Sequence, residues 1–598
     1  MKKILLSAVF FLFFAIISIV GYLVIFGYET NKFNSLLENK IKSSLSNVTV
    51  NIEKIKVKIN IKNLNFFITT SEPRIKYRGN AIDIKRVDAY IKLNSFLSGK
   101  PSIDKVNIAS NEINISKTKD IVKYFKPSNF KKFFLNDVEK GKLLFNIDLF
   151  LKNNEIINFE INGYVKNLFA SVEDINLKDT SFIYLVEKDL GEIDNVRGFL
   201  NGFQVNSGYI KFDNSKLLNI NGNLKSDVVL NKLHLNNIFK NKIQKNFKDF
   251  NLIGSLQKKF QIQFDQTLKI TDYRLEASGN IQKSKIELQE PQKYLFVKNK
   301  IKNIDLEKSE FKINYNRNKE KSLNVNGSYK INDNLFQKFN FKQLKKFNSK
   351  KISFDINFDD EIDIPILNYN SKNQVININS LLQIKKNKIN IENFNLSQGK
   401  NKINIENLNI ENMNLIKFND ITVKTYKKNK VNNDLQISYG KTVKITGQNY
   451  DATNLTKLLD QNGSSNFLKN INKEISIKIN EISNNVSDKL FNFNLIGYLE
   501  KGKFSKIVSK GEFEDGKYLD ISLREDKNTN KKILEVYSDL PKLLLSNYKF
   551  FDGLSGGQLL IFSSYDDKNS NINLSIEKFK VKDAPGLVKL FSLADFGG

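Results

Sequence analysis

Cysteine and tryptophan are absent from this chain of 598 residues, and His234 is its single histidine. Without cysteine the chain can form no disulfide bond, thiol nucleophile, iron–sulfur centre or cysteine-type zinc site. One imidazole cannot supply the two or three that most catalytic zinc sites use. Proline and glycine are also scarce, at 7 and 28 residues, which argues against a long flexible chain. The composition therefore predicts an ordered protein without a metal site or a cofactor.

The charge is one-sided: 94 Lys and Arg stand against 64 Asp and Glu, a formal net charge of +30. Such an excess is typical of nucleic-acid binding, but the sequence contains no run of three basic residues. Many lysines instead alternate with apolar residues, where they would solvate one face of a sheet and protect its edges. We therefore expect no nucleic-acid partner, and a weak attraction to anionic lipid headgroups.

Residues 4–28 contain no charged side chain. As a helix they would span about 37 Å, more than the ~30 Å hydrocarbon core of a bilayer. The stretch is longer than a signal-peptide core and no A-x-A-like site precedes Glu29, although a long cleaved signal is the alternative. Because Lys2 and Lys3 precede the stretch, we expect a cytoplasmic tip at 1–3 and the body across the membrane. The predicted anchor residues are Ile4, Leu5, Phe10, Phe11, Phe13, Phe14, Ile16, Ile17, Val20, Leu23, Val24, Ile25 and Phe26.

After a short helical pattern in 29–46, apolar residues recur at every second position through much of 47–535. Strict alternation places the apolar side chains on one face of a sheet and the polar ones on the other. Turn-forming residues at 98–101 and 514–517 separate such runs and predict hairpins. Two runs represent the predicted apolar face: Ile55, Val57, Ile59 and Ile61, and Val87, Ala89, Ile91 and Leu93.

A weak repeat occurs at 388–396 and 402–410, and a similar stretch occurs at 58–66. In each copy the apolar residues are spaced by two, three and two positions, so the alternation slips once. A slip of one residue sends the following side chains to the other face unless a β-bulge restores them. We therefore predict bulged strands that belong to a curved sheet. Chance similarity within a composition rich in Asn, Lys and Ile is the alternative.

Helical patterns are few, at about 118–135, 234–248, 334–347, 453–471 and 584–595. They are too short to cover the apolar face of several hundred strand residues. That face must meet another sheet, close into a barrel, or meet an apolar ligand. The predicted fold is mainly β: one N-terminal transmembrane helix, then a long, curved, mostly antiparallel sheet that forms an extended apolar groove, with a few short helices. Closed β-sandwich domains are the alternative.

Two stretches resemble the AsmA-like family of bacterial envelope proteins, in particular its YhdP-type branch. Residues 81–108 are similar to the family's strand, Ser-Gly-Lys-Pro turn and returning strand after an N-terminal anchor. Residues 538–593 are similar to a signature near the family's C-terminus, and we assign 536–598 to that region. The matching motif residues are Gly556, Gly557, Asp583, Ala584, Pro585, Leu587, Leu590 and Leu593. The family continues with further strands, so the resemblance implies that this chain ends before the family's last region.

The resemblance implies a protein anchored in the inner membrane with a periplasmic body. It also implies that phospholipids move along an apolar groove between the inner and outer membranes, which supports outer-membrane integrity. The two alternating runs above are the candidate lipid-lining residues, and the resemblance implies contact with the outer membrane or with a partner protein there. Such transfer needs no covalent chemistry, so we expect no catalytic residues and no enzyme activity. A non-enzymatic envelope scaffold or outer-membrane assembly factor built of closed sandwiches is the competing hypothesis.

Overall fold

The computed structural model describes residues 2–32, 34–44, 47–61, 65–92, 95, 102–152, 155–172, 175–234, 246–267, 269–317, 320–372, 374–455, 466–484, 489–529, 531–545, 554–566 and 570–581. The chain forms two compact units. Unit 1 comprises residues 1–230, 253–280 and 314–318, and unit 2 comprises 231–252, 281–313 and 319–598.

The first helix of unit 1 is α1, Lys2–Ile25. Its segment Leu6–Ile25 has a mean hydropathy of 2.8, is long and apolar enough to cross a membrane, and lies entirely on the surface of the unit. Ten predicted anchor residues from Phe10 to Ile25 belong to this helix, and Phe26 follows it; the side chains of Ile4 and Leu5 lie outside the described part. The other α-helices within the described residues are α2 (Asn34–Ser44), within the predicted 29–46, then α3 (Ile115–Val122), α4 (Asn129–Asn136) and α5 (Pro541–Leu545).

The strands of unit 1 account for most of its described residues. They are β1 (Tyr28–Thr30), β2 (Val48–Asn51), β3 (Ile55–Asn60), β4 (Asn65–Ser71), β5 (Arg74–Tyr77), β6 (Asn80–Lys92), β7 (Ile103–Ser110), β8 (Ile113–Asn114), β9 (Val138–Lys152), β10 (Glu155–Val172), β11 (Ile175–Glu187), β12 (Leu190–Leu200), β13 (Phe203–Asp213) and β14 (Asn219–Asn231), whose last residue is assigned to unit 2. Three further strands carry residues of both units: β15 (Phe247–Phe264), β16 (Ile270–Gln292) and β17 (Ile301–Asn316).

Unit 2 is also built mainly of strands. They are β18 (Lys321–Ile331), β19 (Gln337–Lys346), β20 (Ser349–Phe358), β21 (Asp363–Ile364), β22 (Tyr369–Asn370), β23 (Ile376–Lys385), β24 (Lys388–Gln398), β25 (Asn401–Glu411), β26 (Asn414–Lys417), β27 (Asp420–Lys427), β28 (Lys430–Tyr439), β29 (Thr442–Asp451), β30 (Lys473–Ser483), β31 (Leu490–Glu500), β32 (Lys503–Glu512), β33 (Tyr518–Glu525), β34 (Lys532–Ser538), β35 (Leu554–Tyr565) and β36 (Ser570–Val581).

The predicted fold class is confirmed. Of the strands that the structure describes, 34 belong to one mostly antiparallel sheet, and β21 and β22 form a separate hairpin. One neighbouring pair, β29 and β30, is parallel. A parallel pair needs a crossover connection rather than a tight turn, and residues 452–472 provide it. The alternation of apolar residues does not by itself predict this crossover.

The predicted slip is present in the two adjacent repeat copies, as a bulge in β24 and as a left-handed kink in β25. The register between β23 and β24 shifts after Leu381, opposite Glu392, and Asn407 in β25 has a φ of +49°. Left-handed backbone is tolerated best by Gly, Asn and Asp. Because of the bulge at Glu392, Ile391 and Phe394 of β24 line the same cavity although three positions separate them. The similarity of 58–66 to the other two copies suggested one strand there, but the structure has two. Asn60 of β3 pairs with Asn65 of the antiparallel strand β4.

Unit 1 contains similar kinks. Asn167, Asp179 and Asn195 lie inside neighbouring strands β10, β11 and β12 and all have positive φ. The Asn167 side-chain amide donates a hydrogen bond to Asp179 Oδ1 at 2.6 Å, which links two of the kinks. Val165 and Leu168 lie on the two sides of the kink in β10, three positions apart. In a regular strand they would point to opposite faces, but here both are buried in one cluster. The kinks therefore keep apolar residues on one face along a long strand.

We predict that Asn407→Val destabilises unit 2 by about 1–2 kcal/mol, because a β-branched residue must adopt the left-handed backbone. Asn407→Gly should be nearly neutral. Urea unfolding measures the difference, with Asn404→Val on the same strand as the control, since Asn404 does not have positive φ. An equal loss of unfolding free energy at both valine positions would contradict this account of the kink at Asn407.

The helix predictions had mixed outcomes. The pattern at 118–135 is confirmed as two helices, α3 and α4, and the Ser128 hydroxyl caps α4 by accepting a hydrogen bond from the Lys131 N–H at 3.1 Å. The prediction at 334–347 is wrong: β19 occupies most of it, because Phe339 and Phe341 alternate with polar residues and the strand pairs with β18 and β20.

Three other predicted helices fall partly or wholly outside the described residues. Within 234–248, the last residues begin β15; within 453–471, a short 3₁₀ turn occupies Asn466–Leu468. The pattern at 584–595 and the turn at 98–101 lie outside the described residues. The turn at 514–517 is confirmed as a 3₁₀ turn, Glu514–Gly516.

Candidate functional site

The predicted apolar residues of β3 and β6 lie on one face of unit 1. The intervening strand β4 sets this register, since Val57 pairs with Ile68 and Ile68 pairs with Ala89. In the same way Ile55 is aligned with Val87, and Ile59 with Ile91, through Thr70 and Phe66. Ile61 lies in the turn after β3 with 57% of its surface exposed, and Leu93 lies outside the described residues.

The central row of this face continues across six strands. It runs through Val57, Ile68, Ala89, Val106, Leu149 and Phe159, which pair in succession from β3 to β10. Six strands are separated by five spacings of ~4.8 Å, so the row is about 24 Å long. Every member is only half-buried, so this row of unit 1 is apolar and incompletely covered. We call it the unit 1 row.

A second apolar surface encloses a cavity of about 1060 Å³ in unit 2. A row of seven lining side chains crosses seven strands from β24 to β31 in direct register. Six spacings of ~4.8 Å give this row a length of about 29 Å. Its members, which we call the unit 2 row, are Phe394, Ile405, Ile421, Ile437, Ile445, Ile477 and Leu495.

A short hairpin packs onto the apolar face of unit 2 beside the cavity. We call residues 360–371, which contain β21, a 3₁₀ turn at Pro365–Leu367 and β22, the strap. Ile362 and Tyr369 of the strap are buried in one cluster with Leu396, Val423 and other residues of the sheet. The strap also lines the cavity through Ile362, Ile364, Ile366 and Leu367. The strap therefore covers part of the apolar face of the unit 2 sheet.

Buried side-chain hydrogen bonds hold the strap in place. The fully buried Asn433 side-chain amide donates to the Leu367 carbonyl at 2.6 Å and to Thr425 Oγ1 at 2.8 Å. Its Oδ1 accepts a hydrogen bond from the Asp451 N–H at 2.9 Å. Asn368 Nδ2 donates to Asp451 Oδ2 at 2.8 Å. One asparagine thus joins the strap to β27, β28 and the end of β29.

The other end of the strap is tied to the last residue of β24. The Tyr369 hydroxyl donates to Gln398 Oε1 at 2.8 Å, and the Gln398 amide donates to the Ser371 carbonyl at 2.5 Å. The Ser371 hydroxyl accepts a hydrogen bond from the Ile362 N–H at 2.8 Å. Burial raises the pKa of Tyr369 to about 12, so its hydroxyl remains a neutral donor at physiological pH. These hydrogen bonds join Tyr369 and Ser371 of the strap to the end of β24, and Ser371 to Ile362.

The segment 294–299 fixes the strap from a further direction. Val297 forms an isolated β-bridge with Ile362, and the Asp363 N–H donates to the Phe296 carbonyl at 2.8 Å. Lys298 pairs with Glu361 at 2.7 Å. Leu295, Phe296 and Val297 line the cavity beside the strap, so two irregular segments cover this part of the sheet.

The cavity lining offers little chemistry beyond apolar contact. Its few polar members are Tyr450, Thr453, Ser483 and Asn484. Among the described residues, no group of three His, Cys, Asp or Glu side chains could hold a metal ion. His234 lies far from this lining in the chain, and its Nδ1 accepts a hydrogen bond from the Asn231 N–H at 3.3 Å. The arrangement can exclude water and hold an apolar ligand, which burial stabilises by roughly 25 cal/mol per Å².

The family-motif residues lie partly inside the described chain. Gly556 and Gly557 belong to β35 and have φ values of +70° and +95°. Asp583, Ala584, Pro585, Leu587, Leu590 and Leu593 lie outside the described residues. Comparison of the chain with protein-family models, with curated proteins and with solved structures gave no match.

Proposed function

We propose that this protein is a membrane-anchored, non-enzymatic carrier of phospholipids. The apolar cavity of unit 2 and its unbroken row are the observation that carries the proposal. Each leaflet of a ~30 Å hydrocarbon core accommodates acyl chains of about 15 Å, and the unit 2 row is about 29 Å long. An acyl chain can therefore lie along this row, while its headgroup stays in water.

The unit 1 row supports the same proposal. Its side chains are half-exposed apolar residues from six adjacent strands, and burial of each methylene group would gain about 0.8 kcal/mol. A row of similar aliphatic side chains has no single deep binding point, so a chain can slide along it. No bond is made or broken in this process, and the protein needs no catalytic residue.

The location is part of the proposal. Helix α1 would hold the protein in the inner membrane with its N-terminus in the cytoplasm, because Lys2 and Lys3 precede the apolar span. The body would then lie in the periplasm and serve lipid exchange between the inner and outer membranes, as the AsmA-like resemblance implies. The lysine-rich surface would attract anionic headgroups weakly.

Lipid retention tests the proposal. The full chain is purified in detergent, washed with lipid-free detergent and measured by native mass spectrometry. We expect phospholipids to remain bound to the chain, and lipid extraction followed by chromatography to identify them. A lipid-free protein that takes up no phospholipid from mixed micelles would instead favour the envelope scaffold.

A further inference from the structure

The end of α1 lies close against the first strands of unit 1. Two residues after α1, Gly27 has a φ of +75°, and a Cβ atom there would lie 2.7 Å from Lys58 Cγ and 3.0 Å from the Val57 carbonyl oxygen. Immediately afterwards, Tyr28 of β1 pairs with Val57 of β3. The position favours glycine, because its left-handed conformation and the atoms around it both disfavour a side chain. The backbone at the end of the apolar helix therefore lies directly beside β3.

A cleft of about 560 Å³ lies at this joint. Ser18, Ile19, Tyr22 and Leu23 of α1 form one side, and Tyr28 and Val57 form the other. Val57 is also the first member of the unit 1 row. One side chain thus belongs both to a cleft against the membrane-spanning helix and to an apolar row that continues across β4, β6, β7, β9 and β10.

The position of the cleft along α1 matches the edge of a bilayer. Tyr22 and Tyr28 are 54% and 51% exposed and stand on either side of the end of the helix. Tyrosine is enriched at membrane–water interfaces, where its ring lies among the headgroups. The part of α1 before the cleft is apolar and exposed, as expected of a surface that faces lipid. The cleft would therefore open at the boundary between acyl chains and headgroups.

We infer that this cleft is the entry site at which an acyl chain of a bilayer phospholipid leaves the membrane and moves onto the unit 1 row. The inference rests on the proposed function and adds the place where lipid is taken up. The occupant is a phospholipid of the surrounding leaflet, because the cleft is continuous with the apolar surface of α1. Because Val57 lines the cleft and is also the first residue of the unit 1 row, a charged side chain at this position should block the passage of an acyl chain from the bilayer to the row.

Uptake from a bilayer tests the entry site. The full chain is reconstituted into liposomes that contain a self-quenched fluorescent phospholipid, and the rise in fluorescence reports transfer of that lipid to the protein. Val57→Asp should slow this transfer at least tenfold, because the carboxylate would have to be desolvated by each passing acyl chain. The unit 2 cavity of the same variant should still load from mixed micelles, since Val57 is not part of its lining.

Thr49→Asp is the matched control. It introduces the same charge at an exposed threonine of β2, outside both the cleft and the unit 1 row, and should transfer lipid at the wild-type rate. Wild-type transfer by Val57→Asp would overturn the entry site and leave the proposed function standing. A wild-type chain that loads from micelles but not from the bilayer would do the same. A wild-type chain that loads from neither would end both.

A second variant covers a folding failure of Val57→Asp, which loss of micelle loading would reveal. The chain contains no cysteine, so Val57→Cys can be labelled at a single site with a thiol-reactive photo-crosslinker. Illumination in liposomes should produce covalent adducts with phospholipid, detected by mass spectrometry. Adducts at or below the level of the equally labelled Thr49→Cys, on the exposed side of β2, would overturn the entry site.

Discussion

Replacing Ile437 and Ile445 together with aspartate is expected to empty the unit 2 cavity of phospholipid. The two side chains are directly opposite each other on β28 and β29 and line the cavity at the centre of the unit 2 row. An acyl chain that covers two carboxylates must remove their water, which costs several kcal/mol without compensating partners. Since 1.4 kcal/mol corresponds to a tenfold change in affinity, we expect lipid retention to fall at least tenfold.

The measurement is the number of phospholipids per chain by native mass spectrometry, together with transfer between donor and acceptor liposomes. The control is the pair Gln436→Asp and Thr446→Asp. These residues are also directly opposite each other on the same two strands, but they are exposed on the other face. The control adds the same charge and should retain wild-type lipid content. Undiminished lipid in the Ile437→Asp, Ile445→Asp variant would contradict the placement of lipid in this cavity.

The apolar face could be predicted from the sequence because strand periodicity determines it directly. Ile55, Val57 and Ile59 share a face whatever the neighbouring strands are, since side chains two residues apart point the same way. The bulge in β24 could also be predicted, because an apolar spacing of three requires a slip that the backbone must correct. Which strands are neighbours could not be read from periodicity, and only the observed pairing aligns Val57 with Ala89 through β4.

The strap could not be predicted, because long-range polar contacts determine its position. Asn433 and its acceptor on Leu367 are 66 residues apart, and nothing local distinguishes this asparagine from the many exposed ones. The apolar residues Ile362, Ile364 and Ile366 alternate as in an ordinary strand. A usable signal was Pro365, which is disfavoured inside a central strand.

The helix predicted at 334–347 was wrong for a similar reason, because contacts with distant residues determine the structure there. Leu335, Phe336, Phe339 and Phe347 fall at spacings that suit one side of a helix. In the structure β19 pairs along its length with both β18 and β20, and Leu335 and Phe347 lie exposed beyond its two ends. Local spacing favoured the helix, whereas hydrogen bonding to two neighbouring strands determines the fold.

The strap leads to the second prediction, Asn433→Ala, which is expected to destabilise unit 2 and release the strap. The substitution removes the donor to the Leu367 carbonyl and the acceptor of the Asp451 N–H in a fully buried place. A buried polar group left without its partner costs about 1–3 kcal/mol, so the two groups predict a loss of about 2–6 kcal/mol in the free energy of unfolding.

Urea unfolding measures this loss, and hydrogen exchange locates it. The Ile362 and Asp363 amides, which donate to Ser371 Oγ and to the Phe296 carbonyl, should exchange much faster in Asn433→Ala. The control is Asn377→Ala. The Asn377 side-chain amide donates hydrogen bonds to Asp355 Oδ1 at 2.8 Å and to Asn357 Oδ1 at 3.1 Å, and it is less buried than Asn433. Because water can replace these hydrogen bonds, the loss in the free energy of unfolding should stay below about 1 kcal/mol. If both variants lose equal stability, or if the strap amides remain protected in Asn433→Ala, then Asn433 does not hold the strap. If instead the strap opens, lipid in the cavity beside it should exchange faster, because Ile362, Ile364 and Leu367 form part of its lining.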